Sequence, residues 1–575
     1  MPMRDGVKLS TDLYFPEGLS GRLPVILIRT PYDKNASRSE DSTARMFAVQ
    51  GYVVAVQDTR GKFESEGEYT VSAADTNDGY DATGWLASQP WSTGKVGTYG
   101  CSYSGENQVE TAKLRHPNLA AMIPQASGGA RRYFAAITGG AVELAAGADW
   151  FRSNGAKIRP MLGPSSDPSG FARAARYFNL EPQLPPVNWA SVWRTLPLVD
   201  VVKAAGAPPS DWEGFVSHDL NDPWWDQFGY VNETHRFNTP ALFLDSWYDY
   251  GPADTMALLK LFQDNAESEI ARRHVFAVLA PTTHCVYARA HEQTIVGERF
   301  VGDARFDFYG LYVRWFDYWL KGIDNGVTGM PRIQIFVMGR NQWRGEHEWP
   351  LARTRFTKYY LHSDGRANSR LGTGALSLTP PASEPADSYT YDPAAPVPTV
   401  GGPDFGVPLQ GHTAGAADQS GVEMRQDVLV YTTAPLETGV EVTGPIEAVL
   451  YVSSSAKDTD FTAKLVDVHP DGTAFNVQEG ILRARYREGF DRKVLMKEGE
   501  VYEVHVPLSV TSNYFPRRHR IRLDVSSSNF PRFDRNLNTG GNNYDETTWA
   551  VARNTVHHSA ERASYLLLPI IPETE

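Results

Sequence analysis

Three side chains that together make an acyl-transfer site stand far apart in this chain. They are a serine, an aspartate and a histidine, each at the end of a β-prone run. The serine is Ser102, in the stretch Lys95-Val96-Gly97-Thr98-Tyr99-Gly100-Cys101-Ser102-Tyr103-Ser104-Gly105-Glu106-Asn107. A short β-prone run turns there through small residues and continues as a helical pattern from Glu106 to Leu114. Gly100 lies two residues before the serine and Gly105 three after it, giving G-x-S-x-x-G, a variant of the strand–turn–helix nucleophile elbow. Such a turn is too tight for side chains at the glycine positions, and its serine is held in a strained backbone that presents the hydroxyl. The first turn of the following helix offers unpaired N–H groups and the positive end of the helix dipole to a developing oxyanion. Taken alone, the motif fits an ordinary Gly/Ser turn equally well.

A serine nucleophile needs a base, and the base needs an orienting acid. In hydrolases whose elbow serine sits on a parallel α/β sheet, the acid and then the histidine follow the serine in the chain, each just beyond a strand. Both slots are filled. The run Ala241-Leu242-Phe243-Leu244 leads into Asp245-Ser246-Trp247-Tyr248-Asp249-Tyr250-Gly251, and Val275-Phe276-Ala277-Val278-Leu279 leads into Ala280-Pro281-Thr282-Thr283-His284-Cys285. We assign Asp249 and His284, with Asp245, nearer its strand, as the competitor for the acid. His274 precedes a strand and His291 lies past the loop, so neither fits the base slot as well. The chain has 2 cysteines, Cys101 and Cys285, each adjoining one of these residues. Two cysteines imply no disulfide framework. Cys101, one position before the apex, is expected to point into the sheet as a small buried hydrophobe. A bond between the pair is expected to distort the site.

The elements that must position these residues alternate between strand and helix. Leu23–Ile28 and Gly51–Val56 are continuous apolar runs, as in strands buried on both faces, and Asp78–Leu86 reads as a helix before the elbow strand. Ala120–Pro124 is another strand, and Arg305–Lys321 a long amphipathic helix. The alternation indicates an α/β parallel sheet. Between Gly128 and Asn238 apolar residues recur at helical spacing, with Trp150, Phe151, Trp189, Trp193, Trp212, Trp224 and Trp225 clustered there, which reads as a helical insertion over the sheet. After Gly329 short strand-like runs alternate with turns, among them Ile333–Met338, Ile446–Val452 and Ile521–Val525. The stretch from Pro380 to Val400 reads as a loop within that region. The expected division is 1–127 and 239–328 for the two parts of the α/β core, 128–238 for the cap, and 329–575 for the β region. A length of 575 residues agrees with several domains.

Net charge is −13, so no broad basic field favours nucleic acid. No apolar run is long enough to span a bilayer. The N-terminal residues show no signal-peptide pattern, which makes a cytoplasmic location the default expectation. Homo-oligomerisation is left open by the sequence.

Several further motifs accompany the elbow: Met3-Arg4-Asp5-Gly6-Val7, Arg29-Thr30-Pro31-Tyr32, Asp58-Thr59-Arg60-Gly61 with Ser65 and Gly67, Trp247-Tyr248-Asp249, Asp458–Leu465 and Asp534–Gly540. Together, nearly end to end, they resemble the family of cocaine esterase, α-amino acid ester hydrolase, glutaryl cephalosporin acylase and X-prolyl dipeptidyl aminopeptidase. The resemblance implies an α/β-hydrolase core, a helical cap inserted before the acid, and a C-terminal all-β jelly roll of the galactose-binding-like kind. By it, Ser102, Asp249 and His284 match the triad. Tyr32 matches a tyrosine whose hydroxyl is one oxyanion-hole donor, the other being the backbone N–H of Tyr103. On its own sequence context Tyr32 would be a core tyrosine at a strand end.

Specificity is less legible. In α-amino acid ester hydrolases an acidic cluster binds the substrate ammonium, with two members close behind the triad acid. Here Asp249 is followed by Tyr250-Gly251-Pro252-Ala253, with no acid before Asp254, and the start of the cap reads Gly129-Ala130-Arg131-Arg132-Tyr133. That departure argues against recognition of an α-ammonium group. Arg131 and Arg132 offer either a site for a substrate carboxylate or two solvated charges at a domain boundary. Trp150, Phe151 and Trp247 are candidates for an apolar acyl pocket, against the alternative of core packing. Glu106 reads as a charge complementing the helix dipole. The chain thus reads as a serine hydrolase of small-molecule carboxylic esters, with amides second, needing no metal or organic cofactor. The alternatives are an acylase of β-lactam-type or dicarboxylic acyl amides, an X-Pro dipeptidyl-peptidase, and, in a different class, a non-catalytic binding protein using the jelly roll.

Overall fold

The computed structural model describes residues 1–18, 21–39, 42–131, 137–157, 184, 186–404 and 414–572. Nine strands make the core sheet: β1 (Thr11–Tyr14), β2 (Leu23–Thr30), β3 (Val53–Asp58), β4 (Ser92–Cys101), β5 (Leu119–Gln125), β6 (Ala241–Tyr248), β7 (Val275–Thr283), β8 (Ile333–Val337) and β9 (Gln342–Glu346). Their order is β1-β3-β2-β4-β5-β6-β7-β8-β9. The pairings from β3 through β8 are parallel, and antiparallel β1 and β9 close the two edges. The unbroken apolar runs follow from this position. Every residue of β3 and of β6 is buried, because helices cover both faces. Three helices matter for the site: α1 (Asp75–Ala87), α2 (Tyr103–Ala112) and α3 (Pro252–Asp264). Functional residues of open α/β sheets gather at the carboxyl ends of the parallel strands, where β4, β6 and β7 deliver Ser102, Asp249 and His284.

Two expectations are corrected here. The core was expected to end at 328, yet Ile333–Val337 is β8. It pairs in parallel with β7, with Ile333 opposite Ala277, and β9 folds back against it. A short apolar strand carries no mark of which sheet it joins, and the open edge of β7 takes this one. The core therefore runs to Glu346. In addition, the stretch read as a loop from Pro380 to Val400 contains the strand Asp387–Tyr391, paired with Ala552–Ser559.

In the cap, the described residues form a short hairpin, Ile137–Thr138 with Ala141–Val142, and helices that include Leu144–Ser153 and Trp212–Ser217. Phe151, Trp193, Trp212, Phe215, Trp225 and Phe228 form its apolar centre, and the core residues Tyr69 and Tyr103 belong to the same cluster. The cap is thus packed directly onto the first residue after the elbow serine.

Apart from short 3-10 turns at Gln419–Met424 and Ala484–Tyr486, the regular structure of the C-terminal domain's described residues is β, with a twelve-stranded sheet dominated by the long pair Val440–Ser454 and Tyr502–Phe515. The Asp458–Leu465 and Asp534–Gly540 motifs meet at Arg483. Its buried guanidinium bonds Asp460 at 3.0 Å and Asp534 at 3.0 and 3.1 Å. Asn536 donates to Asp460, and Asp534 accepts from the backbone N–H of Val142 in the cap at 2.7 Å. Burial pushes Asp460 up to about 6, against the opposing pull of Arg483. This network fastens the cap hairpin to the β domain. Removing one partner of a buried charge pair typically costs about 3–5 kcal/mol. Asp534→Ala should therefore lower the thermal midpoint clearly, and Asp534→Asn should lower it less, both readable by differential scanning calorimetry.

Candidate active site

Ser102 caps α2 with φ 61 and ψ −132, a left-handed backbone that an L-residue adopts only under constraint. Both glycines of the motif are required by contact. A Cβ on Gly100 would lie 2.6 Å from the Cβ of Ser104, and one on Gly105 would lie 2.3 Å from the carbonyl oxygen of Gln125. The serine N–H donates to the same Gln125 carbonyl at 2.9 Å, tying the elbow to β5.

Tyr32, just beyond β2, donates its hydroxyl to Ser102 Oγ at 3.3 Å. Burial raises its pKa, while hydrogen bonds to Ser102, the Trp150 side chain and the Tyr103 backbone pull it down. The Tyr103 amide and the Tyr32 hydroxyl therefore meet at one point beside Ser102. The Tyr103 side chain leaves that point, placing its hydroxyl 2.5 Å from Asp75 and accepting from the Ser72 amide at 2.9 Å. Trp150, half-buried, stacks on the Tyr103 ring at 6.1 Å.

His284 Nδ1 lies 2.9 Å from each carboxylate oxygen of Asp249. That contact leaves Nε2 as the nitrogen able to take a proton. The Tyr250 amide also donates to Asp249, at 2.7 Å. Asp245 is four residues back on β6 and wholly buried. Burial, followed by the Asp249 charge, holds its carboxyl well above the usual range, and it accepts from Thr255 at 2.5 Å. Asp249, not Asp245, is the carboxylate that meets the His284 imidazole.

The cysteines are corrected. Cys101 and Cys285 are joined in a disulfide, with Cα atoms 6.0 Å apart. The expectation of a small buried hydrophobe treated each as an isolated residue. The ends of β4 and β7 in fact converge, and Cys285 turns back with φ 58. The bond fits that geometry without displacing the site. It also fixes Ser102 and His284 as the neighbours of two linked residues.

The pocket candidates divide. Trp150 is at the site. Phe151 is wholly buried in the cap, packed on Trp212 and Phe215. Trp247 is wholly buried too, donating to the carbonyl of Phe336 at 2.8 Å and stacking on Trp349. Alternation along β6 sends it to the face opposite its neighbours. Arg131 is paired with Asp254 at 3.0 Å and Glu233 at 3.6 Å. Arg132 lies outside the described residues. Two residues of the site went unread in the sequence: Tyr250, whose one signal is its place directly after Asp249, and Asp75 under Tyr103. A cavity of about 410 Å³ opens beside the elbow, lined by Thr30, Tyr32, Ser39, Tyr99, Cys101 and Ser104.

Among the described residues one cluster has metal-ligand types, Asp467, His469 and His519 in the β domain. Asp467 is already engaged there by His519 at 2.8 Å and by the buried Arg299 guanidinium at 3.3 Å, which opposes a cation. It reads as a structural network.

A strained serine at a strand–helix turn, followed in chain order by a histidine-bonded aspartate and that histidine on a parallel sheet, defines the α/β-hydrolase class of serine hydrolases. Comparison with known proteins narrows this. Residues 5–286 match the family described as X-Pro dipeptidyl-peptidase (S15 family), and residues 325–567 match the X-Pro dipeptidyl-peptidase C-terminal non-catalytic domain. The chain is 37% identical over 592 residues to cocaine esterase of Rhodococcus sp. (strain MB1 Bresler), covering 99% of this chain and 97% of that one. Two solved structures superpose with a TM-score of 0.80 over 99% of this chain and 95% of theirs: an aminopeptidase from a marine-sediment Thaumarchaeota archaeon, 26% identical, and an α-amino acid ester hydrolase, 25% identical. The chain belongs to this S15 family, and it is a serine carboxylic-ester hydrolase.

Two outcomes follow from the acids and the disulfide. Asp249→Asn should lower kcat by about 10⁴, as loss of the orienting acid does elsewhere, while Asp245→Asn, an isosteric change at a carboxyl whose acidity burial already suppresses, should keep most of it in a steady-state ester assay. Reduction of Cys101–Cys285, or Cys285→Ser, should lower the thermal midpoint by the equivalent of about 2–5 kcal/mol, with a matched loss of kcat.

Proposed function

We propose that Ser102, His284 and Asp249 hydrolyse uncharged carboxylic esters through an acyl-enzyme. Ser102 Oγ attacks the acyl carbon while His284 Nε2 takes its proton. Asp249 holds the Nδ1–H and offsets the imidazolium charge. The Tyr32 hydroxyl and the Tyr103 amide donate to the tetrahedral oxygen, each such donor being worth about 10²–10³ in rate. The imidazolium then gives its proton to the leaving oxygen, and water, deprotonated by His284, releases the acid. The observation that supports this reading is the pairing of His284 with Asp249 at 2.9 Å, with the Cys101–Cys285 bond joining the neighbours of His284 and Ser102 and the Tyr32 hydroxyl 3.3 Å from Ser102.

The acyl group is read from the cap side. Trp150 over Tyr103 gives an apolar, aromatic wall. Behind Asp249 stand Tyr250 and Gly251 where an ammonium-binding acid would be needed. The Arg131 charge is matched by Asp254, so it is a poor receiver for a dicarboxylic acyl chain. A second reading, an aminopeptidase or dipeptidyl-peptidase activity, is favoured by the names of the family and of one structural relative.

A fluorophosphonate probe should label the wild-type protein and not Ser102→Ala; labelling retained in Ser102→Ala would overturn the assignment. In steady-state assays, p-nitrophenyl butyrate should have a higher kcat/KM than glycine p-nitroanilides or a glutaryl amide. A faster free-amino substrate would establish the peptidase reading instead.

A further inference from the structure

The catalytic scheme leaves one buried acid beside it unused. Glu106 lies one turn along α2 from Ser102 and is 2% exposed. Its Oε1 accepts from the Tyr250 hydroxyl at 2.9 Å, and its Oε2 is buried with no hydrogen-bond partner. Tyr250 stands between this carboxyl and the reacting pair. Its amide bonds Asp249 at 2.7 Å, and its ring lies 5.4 Å from the His284 imidazole. The Tyr250 hydroxyl also reaches the carbonyl of Ala126 at 3.2 Å, which fixes the ring from the β5 side.

We infer that Glu106, held through Tyr250, is a positioning residue whose negative charge stabilises the His284 imidazolium formed when Ser102 loses its proton. This rests on the triad reading above and goes beyond it, because a dipole-complementing helix charge would need neither the burial nor the tyrosine.

A carboxylate excluded from water interacts with a nearby cation several times more strongly than across solvent. Glu106 pays for its burial in acidity. Desolvation pushes it up to about 7, with the Tyr250 hydrogen bond and His284 pulling it down and Asp249 and Asp75 pushing it further up. Other groups also face it. Glu110, on its own helix, repels it, and Tyr32 and the cap residue Tyr230 feel its charge. Asp75 is neutralised by Arg29 at 2.8 Å. Among the described residues that act on Glu106, the His284 imidazole is the group whose positive charge its carboxylate would favour. The carboxylate also faces the oxyanion side at Tyr32, which opposes the effect, so the sign of the change is itself a test.

Below about 7 Glu106 is neutral, and replacing it by glutamine changes little. Above that pH it is ionised, and the variant lacks a charge that the wild type has. The measurement is kcat and KM for p-nitrophenyl butyrate against pH, for wild type and Glu106→Gln. Wild-type hydrolysis that is absent in Ser102→Ala is established first, so that failure of the triad reading is seen separately. The expected ratio of wild-type to variant kcat is within about twofold roughly one pH unit below 7 and rises to about tenfold roughly one unit above it, with KM unchanged. Tyr250→Phe keeps the ring and removes the donor that favours the ionised carboxylate, so the rise in kcat that accompanies Glu106 ionisation should come at higher pH than in the wild type. Fluorophosphonate labelling confirms that each variant is folded. A ratio that does not vary with pH, a loss confined to KM, or a Glu106→Gln variant faster than wild type above that pH would each overturn the inference. Should Glu106→Gln fail to label, the Tyr250→Phe profile decides alone, and one parallel to the wild type overturns it.

Discussion

Everything at this site depends on one backbone conformation, the left-handed φ of Ser102. An L-residue holds that geometry at a cost of order 1–3 kcal/mol, and only when its surroundings leave no alternative. Here they leave none. Glycines at 100 and 105 let Ser104 and β5 approach to within contact, and the Gln125 carbonyl takes the serine N–H. The same turn starts α2, so its first amides face the nucleophile and its first side chains enter the cap or the buried core. One conformational choice thus sets the nucleophile, the oxyanion donor and the cap anchor together.

Around that turn the protein buries acids and controls which of them carry charge. Asp75 is matched by Arg29, and burial beside Asp249 raises the pKa of Asp245. Asp249 has the imidazole and a backbone amide. Such an arrangement concentrates ionisation where a proton moves, and leaves the neighbouring carboxyls as hydrogen-bonding supports.

The sequence made the local part of this legible. The elbow glycines, the apolar strands and the acid and histidine slots are patterns of a few residues, and each is set by contacts close in the chain. Tyr32 needed the family resemblance, because nothing in Arg29-Thr30-Pro31-Tyr32 alone says where its hydroxyl goes. What stayed hidden depends on which distant strands converge. The Cys101–Cys285 bond spans 184 residues, and β8 joins a sheet whose previous strand lies some fifty residues earlier. Trp247 looked like pocket lining from its place two residues before Asp249, but strand alternation turns it inward to Phe336. Composition carried no signal for Glu106 and Tyr250, whose contact exists only once β6 and α2 are packed.

Tyr103 belongs to two assemblies at once. Its amide is the one proposed for the oxyanion, while its ring is built into the aromatic centre of the cap, under Trp150, with its hydroxyl bonded to Asp75 and Ser72. On the proposed reading the cap also shapes the acyl pocket. Any drift in those aromatic residues toward a new acyl group would then be transmitted through one ring to the amide proposed for the oxyanion. Diversification of this enzyme is thereby steered: changes remote from Tyr103 are free to retune selectivity, whereas changes that touch its ring trade turnover for a new pocket shape.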